Sequence, residues 1–265
     1  MLYTPHNLNP AYHLRYVWTG WPSPGPFPES PSQDFWPPLL QAWDKDGLRM
    51  LEHRWSDEQI QLLFSAKPDV PPVLLAARAK GRLQYALRTT GNTPCSFSRK
   101  TSVRCIGDNR IRDVEEYIKE QVSKEPCADP RFRELLKKFT VTDPAVDLSA
   151  PTETGSGRYW YDLHLVLVVE GRFRIVDDSK LAALREEAIR AARKQGHKIS
   201  VMAVLPDHLH AALRGNIEHS PQDIALAFQN ETARALGCAV WSDSYYAGTF
   251  GVYDMDAVRR SRSSG

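Results

Sequence analysis

Cysteine is scarce in this sequence, long apolar runs are missing, and neither sign of charge dominates. The four cysteines (Cys95, Cys105, Cys127 and Cys238) form no C-x-x-C pair and have no spacing that suits zinc. They read as reduced thiols of a cytoplasmic protein rather than as a disulfide framework. The longest apolar run, around Leu163 to Val169, is strand-length and contains His164, so no membrane span is expected. The opening Met-Leu-Tyr-Thr-Pro-His lacks the basic and apolar regions of a signal peptide. A net charge of +2 permits a nucleic-acid partner without implying one, because clustering matters more than the sum. Hydrophobic content of 42% against 25% charged residues is that of an ordinary globular chain, so a packed core is expected.

What the sequence does contain is a repeat. Tyr12-His-Leu-Arg-Tyr-Val17 aligns with Tyr161-Asp-Leu-His-Leu-Val166, Gly47 with Gly196, Pro72 with Pro221 and Leu87 with Leu236, each pair 149 positions apart. Beyond these the offset falls to 144, pairing Gly107 with Gly251 and Val114 with Val258. Such a period is too long for a solenoid and implies a tandem domain duplication. The expected domains are residues 1–124 and 158–265, with 125–157 as linker.

Each copy begins with a strand-like run, Tyr12 to Trp18 and Tyr159 to Val169, followed by an amphipathic helical stretch, Asp34 to Asp46 and Ser179 to Gln195. A strand pair comes next: Leu48 to Trp55 with Gln59 to Ser65, and Lys198 to Leu205 with His208 to Leu213. Helices then open on proline, Pro72 to Leu87 and Pro221 to Leu236, with Ser220 placed as an N-cap. A further helix spans Arg110 to Lys124, and only the start of its counterpart precedes Gly265. The seven prolines of Gly20 to Pro38 predict a loop, and the Pro/Thr/Ser/Gly-rich Asp143 to Gly157 a tether after a short helix, Pro130 to Phe139. The order predicts an α+β fold: two tandem copies of an antiparallel-sheet α/β sandwich.

Two motifs carry chemistry. In Asp207-His208-Leu209-His210 the alternation of a strand puts both imidazoles on one face and Leu209 in the core. Two imidazoles so placed can grip a divalent metal, although H-x-H tripeptides also arise in purely structural strands. On the helix, Tyr117 and Gln121 are four residues apart and share a face. Tyrosine can act as a covalent nucleophile and a glutamine oxygen can join a metal shell, yet a helix tyrosine alone is more often a packing residue.

Taken in order, these motifs resemble the HUH single-tyrosine transposases of the small insertion-sequence type, which include the REP-associated tyrosine transposases. The resemblance rests on Leu205-Pro206-Asp207-His208-Leu209-His210, on Tyr246-Ala-Gly-Thr249-Phe-Gly251, and on Tyr117-Ile-Lys-Glu-Gln121 after Ser102 to Gly107. It implies an RRM-like HUH endonuclease fold. It also implies metal-dependent cleavage of single-stranded or hairpin DNA, with Tyr117 as nucleophile and Mg²⁺ or Mn²⁺ held by His208, His210 and Gln121. The departures are complementary. The first copy has Gln59 and Gln61 where the second has its histidines, and the second has Ser261 and Gly265 where the first has Tyr117 and Gln121. Family members are typically dimers in which one subunit's tyrosine helix completes the other's histidine site. The resemblance therefore implies a monomeric pseudo-dimer with one composite site. Candidate DNA contacts are Arg78, Lys80, Arg82, Arg99, Lys100 and Arg104 as cations, with Trp241, Tyr245 and Tyr246 as stacking surfaces. Two other readings stay open: a catalytically inactive DNA-binding pseudo-dimer, and a nicking enzyme of the replication-initiator or relaxase kind. Tyr245, Tyr246 and Tyr253 are alternative nucleophiles, none followed by glutamine four residues on.

Overall fold

The computed structural model describes residues 2–90, 96–127, 129–253 and 255; Cys95, Val258, Ser261 and Gly265 lie outside them. Among the described residues the strands are β1 (Asn9–His13), β2 (Arg15–Pro22), β3 (Leu48–Trp55), β4 (Ile60–Ala66), β5 (Phe97–Ile106), β6 (Thr140–Thr142), β7 (Thr152–Glu153), β8 (Gly157–Trp160), β9 (Asp162–Val169), β10 (Lys198–Val204), β11 (His208–Arg214) and β12 (Trp241–Thr249). The helices are α1 (Trp36–Lys45), α2 (Pro72–Thr90), α3 (Ile111–Lys119), α4 (Gln121–Lys124), α5 (Pro130–Lys137), α6 (Asp178–Lys194) and α7 (Pro221–Leu236).

Local chemistry explains the helix boundaries. Asp177 caps α6 by accepting from the Ser179 and Lys180 N–H groups. Ser220 and Asp223 cap α7 reciprocally, with Pro221 in the first turn where its missing N–H costs nothing. Gly47 and Gly196 follow α1 and α6 at φ of 78° and 76°, a left-handed conformation open to glycine and costly for a β-carbon.

The strands make two six-stranded sheets, ordered β3-β4-β2-β5-β8-β7 and β1-β12-β9-β11-β10-β6. Four consecutive strands have the same order in each, β3-β4-β2-β5 and β10-β11-β9-β12. Helices α1 and α2 pack on the first sheet, and α6 and α7 on the second. One continuous apolar core runs through both halves, from Trp18, Trp43 and Phe64 to Leu165, Leu209 and Phe228.

Four expectations need correction. The sheets are not wholly antiparallel. β1 pairs in parallel with β12, and β8 in parallel with β5, so each half lends a strand to the other's sheet. The runs expected as single strands break at Leu14 and Tyr161, both buried where the chain crosses between sheets.

The first strands are also two residues out of the expected alignment. Val17 pairs with Leu63 and Arg104, and His164 pairs with Ala212 and Gly248. Leu63 and Ala212 are 149 apart and Arg104 and Gly248 are 144 apart, as the sequence suggests, but Val17 and His164 are 147 apart. Tyr12 therefore matches Tyr159 rather than Tyr161.

Finally, Asp143 to Gly157 is not a loose tether. β6 adds to the edge of β10, β7 pairs with β8, and Leu148 is buried against the second sheet. The residues between them hold hydrogen bonds: the Asp143 N–H donates to the Ser200 carbonyl at 2.8 Å and Trp160 Nε1 to the Ser149 carbonyl at 2.8 Å.

Candidate active site

His208 and His210 share one face of β11, as strand alternation requires, while Leu209 is fully buried on the other. Their rings lie 4.9 Å apart. The turn before them orients the first ring: Asp207 accepts from His208 Nδ1 at 2.6 Å and is itself paired with Arg172 at 3.3 Å. That contact leaves Nε2 as the other nitrogen of His208.

A third histidine, not singled out in the sequence, completes the group. His164 on β9 places Nε2 2.9 Å from His210 Nδ1, with the rings stacked at 5.2 Å. Burial lowers the His164 pKa to about 4, and burial together with His164 and His208 pushes His210 further down, so both rings are neutral at pH 7. Tyr246 stands beside His164 at 5.9 Å between ring centroids.

The other half of the molecule supplies the tyrosine. Helix α3 leaves the first sheet and packs across β10 and β11. Val114 and Ile118, one turn apart, bury against Val201, Ala203, Leu205 and Ala212 in a small separate core. Glu115 holds the Ser200 hydroxyl from the same helix. This docking turns Tyr117 toward the histidines, its ring 5.6 Å from His210 and 6.0 Å from His164, with 44% of its surface still exposed. Lys124 Nζ sits 5.1 Å from the tyrosine ring.

The expected single helix Arg110 to Lys124 is interrupted at Glu120, dividing α3 from α4. Gln121 opens α4, is buried, and donates Nε2 to the Tyr117 carbonyl at 2.9 Å, which leaves its Oε1 as the acceptor.

The Thr249 and Gly251 positions are structural. Thr249 Oγ1 accepts from the Arg15 N–H at 2.9 Å and donates to the Ile106 carbonyl at 2.6 Å, joining the ends of β2, β5 and β12. The Gly107 N–H donates to the Gly251 carbonyl at 2.9 Å, and a β-carbon at Gly107 would stand 2.2 Å from the Thr249 oxygen. Only glycine permits that approach of the two halves.

On the matching face of the first sheet there is no histidine pair. Gln61 is buried and donates Nε2 to the Tyr253 hydroxyl at 3.0 Å, with Gln59 half-buried beside it. Among the described residues no three His, Cys, Asp or Glu side chains gather as a cation site.

Most of the expected DNA contacts are engaged otherwise. Arg82 and Arg78 pair with Asp46 at 2.9 and 3.7 Å, and Lys80 Nζ donates to the Ser98 carbonyl at 2.7 Å. Trp241 and Tyr245 are buried and present no face to a base; Trp241 Nε1 donates to Thr232 Oγ1 at 2.7 Å. Burial raises the Tyr245 pKa well above the ordinary phenol value, which also disfavours it as a nucleophile. Arg99 and Lys100 are exposed, Tyr246 is half-buried, and Arg104 lies over the Trp160 ring at 3.8 Å. No helix among the described residues is long and apolar enough to cross a membrane.

Paired imidazoles on a strand of the second sheet are thus faced by a helix tyrosine from the first half of the chain. Residues 158–260 match the family model described as Transposase IS200 like. Over that stretch, less than half of the chain, the protein is similar to the IS200-like transposases. Among solved structures, a transposase-like protein from Deinococcus radiodurans R1 is 20% identical over 42% of this chain and 94% of its own, with a TM-score of 0.33. A REP-associated tyrosine transposase bound to a REP hairpin is 14% identical over 38% of this chain and 61% of its own, at 0.31. The regulatory subunit of aspartate kinase from Thermus thermophilus is 10% identical over 83% and 92%, at 0.21. Comparison with curated proteins gave no match.

Proposed function

We propose that the chain is a metal-dependent single-stranded DNA nicking and joining enzyme, a tandem pseudo-dimer with one composite active site. The observation that carries this reading is the docking of Tyr117, from the first half, 5.6 Å from His210 of the second. The 149- and 144-residue offsets and the shared strand order support duplication. Loss of opposite elements from the two copies then leaves one site rather than two.

The donor set fits a divalent ion. His208 and His210 are each engaged at Nδ1, which leaves Nε2 of both, and Gln121 leaves Oε1. Engagement of the far ring nitrogen is the usual support of a metal-binding histidine. Mg²⁺ or Mn²⁺ held by these three would polarise the scissile phosphate and offset the charge that builds on it. The Tyr117 oxygen attacks phosphorus as the P–O3′ bond breaks. The tyrosine proton passes to solvent and the leaving 3′ oxygen takes one up. A 5′-phosphotyrosine and a free 3′-OH result, and because the link keeps the energy of the phosphodiester, a 3′-OH can reverse the step. With one nucleophile the chain holds one 5′ end at a time.

The test is incubation with single-stranded hairpin DNA and Mn²⁺, followed by a denaturing gel. A covalent protein–DNA adduct is expected, abolished in Tyr117→Phe and in His208→Ala. Binding without an adduct, over a broad set of hairpins, would instead identify an inactive DNA-binding pseudo-dimer.

A further inference from the structure

The face of the first sheet that matches the histidine face is an open cleft of about 860 Å³. Its floor carries Thr19, Gln61 and Ser102, which pair across β4, β2 and β5. Arg104 rises from the same face, its guanidinium 3.8 Å from the Trp160 ring centroid and 4.8 Å from that of Tyr253. Lys100 and Arg158 add two more cations to the wall and Trp21 another ring. The single acidic side chain of the lining, Glu153, is held by Arg158 at 3.1 Å, so the cleft keeps a net positive lining.

Aromatic planes, an arginine fixed between them, uncommitted cationic charge and amide edges at Gln59 and Gln61 suit one ligand chemistry: an anionic phosphate attached to a flat, hydrogen-bonding base. The volume lies in the range of pockets that enclose a small ligand and accommodates one or two nucleotides. We propose that this cleft is a second, metal-free nucleic-acid site, which holds an unpaired segment of a single strand through base stacking at Trp160 and Tyr253 and phosphate contact at Lys100 and Arg104. A half with glutamines in place of histidines thereby keeps a role as a strand holder. The proposal rests on the cleft alone and stands whether or not the composite site cleaves.

The test is photo-cross-linking of the full chain to an oligothymidylate carrying 5-iododeoxyuridine, in EDTA, with peptide mapping. Cross-links are expected at Trp21, Trp160 or Tyr253 and unchanged in His208→Ala, a variant that abolishes the adduct of the composite site. Arg104→Gln should reduce them about tenfold, the scale of one lost charge-assisted contact to phosphate. Lys100→Gln, an exposed substitution that leaves folding intact, should lower the salt dependence of binding by about 0.7 in log–log slope. Cross-links confined to the second half, or cleft cross-links lost in EDTA, would overturn the proposal. So would equal competition by dTMP and oligothymidylate at the same nucleotide concentration, which would make the cleft a mononucleotide site.

Discussion

Asp162 begins β9 at the junction of the two halves, 2% exposed, with Cys105 of β5 on one side and Arg214 on the other. Burial raises its pKa to about 7, against the pull of Arg214, whose Nε is 3.9 Å away. In the unfolded chain an aspartate titrates near ~3.9. Between those values the folded protein holds a proton that the unfolded chain has released. Stability contributed by the neutral carboxyl is thus fully present below about pH 4 and is lost as pH rises to about 7. Three pH units at ~1.36 kcal/mol each set the loss at about 4 kcal/mol. Asp162→Asn removes the titration while keeping the shape, and its amide can offer oxygen to Arg214 and NH₂ to Cys105 Sγ. Urea unfolding of both proteins from pH 4.5 to 8 is the assay. The difference between them cancels every other titrating group. The variant should gain on the wild type by several kcal/mol across that range, with the change complete near pH 7. A difference that stays flat with pH, or that moves in favour of the wild type as pH rises, would refute the reasoning.

Other outcomes follow from the same packing. Ile118→Ala should cost about 2–4 kcal/mol at the small core under α3, the scale of a large-to-small change at a buried site. Hydrogen exchange over residues 111–119 should then accelerate more than in α6 or α7. Thr249→Val strands the Arg15 N–H and the Ile106 carbonyl and should lower stability by about 1–3 kcal/mol for each group left unpaired, read from denaturant midpoints. His164→Ala removes the partner of His210 Nδ1 and should weaken Mn²⁺ binding by about 10- to 100-fold in calorimetry, with little change in DNA binding measured in EDTA.

The fold was legible where a residue type has one physical reason to be there. Gly47 and Gly196 end helices at positive φ, and Pro72 and Pro221 open them, so both survive as landmarks 149 apart. The first strands misled because a shift of two residues leaves strand alternation intact. Tyr12 matched to Tyr161 puts inward residues on inward residues just as Tyr12 matched to Tyr159 does. The parallel joints β1–β12 and β5–β8 left no trace, since pairing between distant segments has no local signature. Asp143 to Gly157 read as a tether because its composition is that of a loop, and its hold on the fold comes from Leu148 and a few strand hydrogen bonds.

The site was read in the same uneven way. One strand fixes the relation of His208 to His210, and one helix that of Tyr117 to Gln121, so each pair is legible from local spacing alone. His164 was hidden in an apolar run, and only the antiparallel pairing of β9 with β11 sets it against His210. Trp241 and Tyr245 were offered as stacking surfaces because sequence does not say which face of β12 meets α7 and which meets solvent. Arg78 and Arg82 were plausible phosphate contacts until Asp46, on the loop after α1, met them.

The central claim is that Tyr117 of one half and the histidines of the other form one site within one chain. It is tested most directly by mixing Tyr117→Phe with His208→Ala and assaying adduct formation on hairpin DNA with Mn²⁺. Each variant alone should be inactive, and the mixture should stay inactive, because α3 is docked on its own chain. Recovery of the adduct in the mixture would show that the tyrosine serves another molecule, and would contradict a composite site built within a single chain.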